Sequence, residues 1–163
     1  RSKGMLEFSL DRPSISIKTD DIQVSFENTE MRSKQMVAEA MVLAGRVAAM
    51  HAIDRNIPMP FRYHLRPEQD LKQPDSLPSI LQNLTLLRSS AIDVLPRPHF
   101  AMGVNEYVKI TSPLRRYLDL LCMHQIKASL CQQPPPYSLD YLRNMLPTIY
   151  NGELYLKRLQ RAD

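Results

Sequence analysis

HFAMGVNEYVKITSPLRRYLDLLCMHQ, residues 99–125, is the stretch on which the interpretation of this chain depends. Ser112 is a typical N-cap residue and Pro113 suits the first helical position, so the sequence predicts that a helix begins here. Arg115 and Arg116 then fall in the first helical turn, where the helix dipole makes each cation cost about 0.3 to 1 kcal/mol. Two compensating anions fit this pattern: a carboxylate elsewhere in the fold, or a phosphate held by the arginines and the helix N-terminus.

Apolar spacing predicts that this helix runs over residues 113–130 and ends before the three prolines at 134–136. Its predicted inward side consists of Leu118, Leu121, Cys122, Gln125 and Ile126. Two further helices are predicted after the prolines, over residues 138–146 and 152–162. The last third of the chain is therefore expected to be mostly helical.

Composition limits the class of protein without naming a function. With 163 residues and 44% hydrophobic content, the chain is long enough to bury one core. The net charge of +4 favours polyanionic partners weakly, and the positive excess lies mainly in the last third. The two cysteines, Cys122 and Cys131, lack metal-ligand spacing and are expected to be free thiols of an intracellular protein. Because the chain begins with Arg1 and not Met, we expect a fragment or a processed product.

The first half of the chain changes from strand to helix patterning. Short β-rich segments over residues 5–10, 14–18 and 22–26 predict strands. Residues 30–56 have a helical period and are apolar around most of the circumference, so this helix is expected to be central to the core, with Met36, Ala40, Leu43, Val47 and Met50 along one side. Glu39 and Arg46 interrupt its apolar run, from which we expect no membrane span.

The middle of the chain carries weaker signals. Residues 58–67 read as an extended segment between prolines, residues 68–76 as a polar loop, and residues 78–92 as a helix. Phe100, Met102 and Val104 alternate and predict a strand. Taken together, the pattern predicts an α+β fold with a mixed β-sheet flanked by helices.

Several enzyme classes do not fit the residues. The four histidines are too scattered to indicate a zinc site, and four isolated glycines form neither a phosphate-binding loop nor a nucleophile elbow. Asp20 and Asp21 are adjacent, but a turn explains them better than a metal site does. Reasoning from the residues alone therefore ends at a basic α+β domain with an anion site around Arg115 and Arg116.

The stretch 99–125 resembles the signature of the RNB family, the catalytic domain of ribonuclease II and its relatives. That signature combines H-F or H-Y, a glycine, a tyrosine and T-S-P-[IL]-R-[RK]-Y-x-D followed by a histidine. The matching residues are His99, Phe100, Gly103, Tyr107, Thr111, Ser112, Pro113, Leu114, Arg115, Arg116, Tyr117, Asp119 and His124. Upstream, RSKGMLEF at 1–8, MVAEAMVLAGRVA at 36–48 and FRYHLRP at 61–67 are similar to weaker family blocks, in the family's order. The resemblance implies that residues 1–163 are the C-terminal half of one RNB catalytic domain, without its upstream metal-binding half or flanking OB-fold domains.

The resemblance implies hydrolytic, processive, Mg²⁺-dependent degradation of single-stranded RNA from its 3′ end. The metal-binding aspartates of the family lie upstream of this segment, so no metal ligand is expected here and the segment alone is expected to be inactive. Arg115 corresponds to the family's catalytic cation, and Asp119 and Tyr117 to supporting residues. The expected RNA-binding residues are Arg116, Phe61, Arg62, His64, Tyr107 and Ser112, with Phe61 as a stacking platform for terminal bases.

Some positions depart from the family pattern. Gly45 follows Ala44 where the family has an Ala-Asn pair, and Ala38 replaces one of its paired acids. The family also carries a catalytic carboxylate on the helix after the arginine block, for which Glu153 and Asp163 are both candidates.

Three functional hypotheses remain open at this point. The chain belongs to an active exoribonuclease, to an RNA-binding relative that has lost its metal site, or to a structural docking domain of a larger RNA-processing assembly. The first hypothesis implies single-stranded RNA as the partner, together with a helicase or other RNA-decay subunits and no membrane. An intracellular location, cytoplasmic or mitochondrial, is expected.

Overall fold

The computed structural model describes residue 6 and residues 12–18, 21–27, 32–71 and 76–162. Within these ranges the fold is α+β, as predicted, and its sheet structure consists of two separate antiparallel pairs of strands. The elements are β1 (Arg12–Lys18), β2 (Asp21–Glu27), α1 (Arg32–Asp54), β3 (Phe61–Tyr63), α2 (Leu77–Leu86), β4 (Ala91–Asp93), α3 (Tyr117–Leu130) and α4 (Leu139–Ala162), with a short 3₁₀ helix at Phe100–Met102.

Strands β1 and β2 form a hairpin in which Ile15 lies opposite Val24 and Ile17 lies opposite Ile22. The strands predicted over residues 14–18 and 22–26 are therefore confirmed. The strand predicted over residues 5–10 lies outside the described residues except for Leu6, whose N–H donates to the Ala101 carbonyl at 3.0 Å.

Helix α1 forms where it was predicted, but its expected central position in the core is wrong for most of its length. The buried residues of α1 are the small ones, Gly45, Ala48, Ala49 and Ala52. The bulky side chains that were expected to face inward are exposed, among them Met36, Leu43, Val47 and Met50. The helix presents its small-residue face because neighbouring backbone approaches closely there, and this leaves its large apolar side chains outside the described core.

By length and composition, α1 is also apolar enough to cross a membrane. Its C-terminal half nevertheless packs within the protein, because Ala48, Ala49 and Ala52 share one core cluster with Phe61 and Val108. These contacts, and the charged residues within the helix, identify α1 as part of the folded domain.

Helix α3 is the centre of the fold, and its predicted inward side is confirmed. Leu118 and Leu121 form a second core cluster with Leu142 of α4 and Val94. Gln125 is fully buried, and its side-chain amide donates to the carbonyls of Pro58 at 2.7 Å and Tyr137 at 2.8 Å. Because the Gln125 carbonyl also accepts the Tyr137 N–H at 3.1 Å, this one side chain ties two loops to α3.

Two predictions for the middle of the chain are wrong. The helix predicted over residues 78–92 ends at Leu86, and residues 91–93 instead form β4, which pairs with β3. The strand expected from the alternation of Phe100, Met102 and Val104 is a 3₁₀ helix, closed by Gly103 at φ 62°. Glycine takes this left-handed conformation at little cost, so the chain turns where a strand would have continued.

The two helices predicted at the C-terminus are one continuous helix, α4, with Pro147 inside it. Proline removes one N–H donor and disfavours the helix interior. The packing of Leu142, Leu146 and Ile149 in the second core cluster spans the proline on both sides. This burial offsets the missing hydrogen bond, so the helix continues.

Gly45 allows α1 to lie directly against the segment that leads into the arginine turn. A Cβ atom at this position would come within 2.5 Å of the Val108 carbonyl oxygen and closer still to the Tyr107 ring. The Val108 N–H also donates to the Gly45 carbonyl at 3.3 Å. The absence of a side chain at Gly45 is therefore a packing requirement of this fold.

We expect Gly45→Ala to lower the free energy of unfolding by about 1 to 3 kcal/mol, because the added methyl group overpacks a contact with backbone. Gly152→Ala is the matched control, since a Cβ at this position of α4 meets nothing within 4 Å. The control should be neutral or stabilising by up to about 1 kcal/mol, as expected for alanine in a helix. Urea unfolding of both variants measures the difference, and equal effects would contradict the packing requirement.

Candidate active site

The arginine block forms a tight turn before α3, and the predicted helix start at Pro113 is wrong. The Ser112 carbonyl accepts the N–H groups of Arg115 at 3.3 Å and Arg116 at 3.1 Å. Arg116 then adopts an extended conformation, φ −131° and ψ 115°, and serves as the N-cap of α3. Proline at the second position of a turn is favoured, so Ser112 and Pro113 specify this turn and not the helix itself.

A buried carboxylate holds the turn. Asp119 is 1% exposed, and its Oδ2 atom accepts the Ser112 N–H at 2.9 Å. The same oxygen accepts from the Arg116 guanidinium through Nε at 2.9 Å and Nη2 at 2.6 Å. Asp119 is the third residue of α3, where the helix dipole favours a negative charge. Of the two compensating anions predicted from the sequence, Arg116 therefore has the carboxylate, and Asp119 of the same sequence block supplies it.

The two arginines consequently have different environments. The Arg116 side chain is 17% exposed, and its guanidinium also donates to the Thr111 hydroxyl at 3.1 Å. Arg115 is exposed, next to the fully exposed Leu114 at the tip of the turn. In the part of the chain that the structure describes, the Arg115 side chain has no hydrogen bond or ion pair, and it is therefore available to a ligand.

Strand β3 contributes a second cation to the same region. The Arg62 N–H donates to the Tyr107 carbonyl at 2.8 Å, which joins β3 to the segment before the arginine turn. The Arg62 guanidinium donates to the Ser90 hydroxyl at 3.0 Å and pairs with Glu153 of α4 at 3.7 Å. Of the two carboxylates considered from the sequence, the structure brings Glu153 to the site, and Asp163 lies outside the described residues.

Lys109 is a site residue that sequence reasoning missed. It is half-buried, and burial lowers its pKa, as do the nearby charges of Arg62 and Arg116, against the opposing effects of Asp119 and Glu153. A sequence signal existed, because Lys109 lies two residues after Tyr107 and two before Thr111, within the same motif as the other site residues.

His64 and His99 form a buried stacked pair beside Arg62. Their ring centroids lie 5.5 Å apart, and the backbones of the two residues form a parallel bridge. Both Nδ1 atoms are buried and have no hydrogen-bond partner among the described residues. Burial, His64 and Arg62 together lower the pKa of His99 from its ordinary 6.5 to about 4, so its ring is neutral at physiological pH.

Two aromatic residues expected to bind RNA are packed inside the protein. Phe61 is 3% exposed and belongs to the core cluster of α1, so its ring offers no face to an incoming base in this structure. Tyr107 is also buried, edge-on to His99, and burial raises its pKa. These positions support a packing role for both rings, and Phe61 receives no support as a stacking platform.

The remaining site residues lie near the turn. Tyr117 is 48% exposed at the start of α3, and Ser112 contributes its backbone to the turn. Within residues 32–71 and 76–162 and the two described strands before them, no three His, Cys, Asp or Glu residues come together as a metal site. The described residues therefore do not fit a magnesium site by themselves.

The comparison with known proteins identifies the family. The family model for the RNB domain matches residues 1–132. An uncharacterized ribonuclease of Synechocystis is 31% identical over 157 residues, covering 91% of this chain and 23% of the relative. The mitochondrial exoribonuclease II of Schizosaccharomyces pombe is 29% identical over 141 residues, covering 76% of this chain and 14% of the relative.

The fold also matches a solved structure. The structure of Mycoplasma genitalium RNase R in complex with ribose methylated single-stranded RNA superimposes with a TM-score of 0.75 at 20% identity, covering 98% of this chain and 31% of that one. The chain thus spans less than a third of each of these proteins.

We expect Asp119→Asn to lower the free energy of unfolding by about 3 kcal/mol, because it leaves a largely buried arginine without its countercharge. Asp140→Asn is the matched control, since Asp140 pairs with Arg143 at the exposed start of α4 and should change stability by about 0.5 kcal/mol or less. Denaturant unfolding compares the two. Equal effects would mean that Asp119 does not hold the turn.

The neutral, buried His99 predicts a loss of stability in acid. The unfolded chain takes up a proton near the ordinary pKa of 6.5, whereas the folded chain resists protonation until about 4. The free energy of unfolding should therefore fall as pH falls through this window, by up to about 3 kcal/mol. NMR titration of the ring should place the pKa of His99 near 4.

A variant separates this effect from other acid-sensitive groups. His99→Phe should show a shallower pH dependence of stability than the unsubstituted protein across the same window. His124→Gln, which changes an exposed histidine, should keep the full dependence. A His99 ring that titrates near 6.5 would overturn the explanation.

Proposed function

The chain belongs to the RNB domain family, and on that premise we propose that the protein containing it is a hydrolytic, processive 3′-to-5′ exoribonuclease that acts on single-stranded RNA. The observation that supports this proposal most directly is the division between the two arginines. Asp119 neutralises Arg116 and fixes the turn, whereas Arg115 is exposed and has no partner among the described residues. Relatives named as ribonucleases, and a similar fold solved with RNA, support the same reading.

In this proposal Arg115 is the catalytic cation. A planar guanidinium fork matches the oxygens of a phosphate, and a fixed positive charge is most effective where negative charge develops in the transition state. Arg116 positions Arg115 through the turn that it shares with Asp119. The proposed RNA contacts of Arg116 and Ser112 are secondary to this positioning role.

Glu153 is the carboxylate that we assign to the reaction. It lies on α4 and pairs with Arg62 at 3.7 Å, and the Arg62 N–H donates to Tyr107 in the segment that leads to the arginine turn. In this proposal Arg62 orients Glu153, and Arg62 and His64 line the RNA channel that the resemblance to the family implies. The carboxylate needs such an orientation because a general base or metal-assisting group acts only from a fixed position.

Mg²⁺ remains part of the proposal as a cofactor bound by residues beyond those described. The described residues supply no ligand set, so no step is assigned to the metal here, and the segment alone is proposed to be inactive. An intracellular site of action, cytoplasmic or mitochondrial, agrees with a mitochondrial relative. Association with a helicase or other RNA-decay subunits is likewise a proposal.

The test uses the intact protein with 5′-labelled single-stranded RNA in magnesium or in EDTA. We expect stepwise shortening to a small end product in magnesium and none in EDTA. Arg115→Ala should reduce the rate at least about 100-fold, the usual effect of removing a group that stabilises developing charge. Arg55→Ala, which changes an exposed arginine just after α1, should leave the rate unchanged.

Glu153→Gln in the same assay tests the carboxylate and should slow shortening while RNA binding persists. Binding without shortening, unchanged by EDTA, would favour the RNA-binding relative that has lost its chemistry. If neither binding nor shortening occurs, the docking hypothesis gains support and the proposal fails.

A further inference from the structure

The charges at the candidate site do not balance. Three cations, Arg62, Lys109 and Arg116, interact electrostatically with two carboxylates, Asp119 and Glu153, and we call these five residues the charged cluster. Each arginine has its own carboxylate, Arg116 with Asp119 and Arg62 with Glu153. The excess positive charge of the charged cluster therefore falls on Lys109.

Lys109 has no hydrogen bond or ion pair among the described residues. It is nevertheless half-buried, and removing a charged ammonium group from water is unfavourable without a partner anion, whereas the two carboxylates of the charged cluster are each already paired with an arginine. Lysines with no function usually extend into solvent, because the long side chain reaches water easily. The position of Lys109 is thus explained by a negative group that comes from outside the described chain.

We propose that Lys109 binds a phosphodiester oxygen of the RNA backbone, at a position separate from the phosphate bound by Arg115. This inference rests on the proposed function, because it assigns a second phosphate contact to the same RNA. A lysine ammonium provides a compact point charge with three donors, which suits a single phosphate oxygen. The arginine forks beside it are already occupied by carboxylates, so Lys109 is the group of the charged cluster that remains for the ligand.

The surroundings of Lys109 favour a backbone phosphate over a base. The charged groups that act electrostatically on Lys109 in the described structure are Arg62 of β3, Arg116 and Asp119 at the start of α3, and Glu153 of α4. Tyr107, two residues before Lys109, and Phe61, which pairs with Val108, are both buried, so neither ring offers a stacking face. Recognition at Lys109 is therefore expected to be insensitive to base identity.

A pH effect follows from the same environment. Burial and the two arginines lower the pKa of Lys109, so it loses its proton at a lower pH than an exposed lysine does. Its contribution to RNA binding is therefore expected to decline as the pH rises through that lowered pKa. An arginine at the same position would keep its charge throughout this range.

The experiment measures the affinity of the intact protein for labelled oligoadenylate in EDTA, so that turnover does not interfere. Adenine does not titrate between about pH 7 and about pH 10, and this leaves the protein groups as the source of any change in that window. The variants are Lys109→Met and Lys109→Arg. The control is Lys127→Met, which removes an exposed lysine near the end of α3.

We expect Lys109→Met to weaken binding about tenfold at neutral pH and to reduce the slope of log affinity against log salt by about 0.7, the value for one phosphate contact on a single strand. Lys109→Arg should retain most of the affinity and lose the alkaline decline. In magnesium, Lys109→Met should raise KM for RNA more than it lowers kcat. Lys127→Met should behave as the unsubstituted protein does, and circular dichroism of each variant checks folding.

The outcomes distinguish this inference from the proposed function. Unchanged affinity and salt slope in Lys109→Met, with an unsubstituted protein that binds RNA, would overturn the inference alone. If Lys109→Arg loses as much affinity as Lys109→Met, charge is not the cause and the phosphate contact is refuted. If the unsubstituted protein binds no RNA, both the inference and the proposed function fail.

Discussion

One buried carboxylate organises the candidate site. Asp119 accepts a backbone N–H of the turn and two N–H groups of Arg116 on a single oxygen, and it lies at the N-terminal end of α3 where the helix dipole stabilises it. A buried charge of this kind is costly unless it is paired and hydrogen-bonded. Because the paired arrangement exists only when the turn and the helix are both in place, the geometry of the turn and the start of α3 are fixed together. The presentation of Arg115 depends on that arrangement.

The same constraint explains which parts of the site could be predicted. The sequence argument that adjacent arginines at a helix start need an anion was sound, but it could not say which arginine would be satisfied internally. The answer depends on Arg116 being extended at the N-cap, which turns its side chain toward Asp119. That backbone detail also moves the helix start from Pro113 to Tyr117. Lys109 was missed because a single lysine in an extended segment is ordinary until its burial is known.

Local sequence patterns predicted the structure of an element correctly where one clearly apolar face determines how it packs. They failed where contacts with distant parts of the chain determine the conformation. The apolar spacing of α3 correctly gave its buried residues, since two core clusters meet on that helix. For α1 the apolar side chains are so numerous that periodicity could not identify the buried face, and close approach at Gly45 selects the small residues instead. Three alternating residues at 100–104 were too few to separate a strand from a 3₁₀ helix, and the left-handed Gly103 decided the matter.

Close packing also links the parts of the site that carry charge. Gly45 brings α1 against Tyr107 and Val108, and the Tyr107 carbonyl accepts the Arg62 N–H. Arg62 in turn holds Glu153 of α4. A side chain added at Gly45 would therefore displace the segment that carries Lys109. This displacement would change the distances between the cations and the carboxylates. The small residues of α1 are therefore needed for the placement of the charged side chains as well as for core packing. Charged groups act on a ligand effectively only at fixed distances, and the backbone sets those distances.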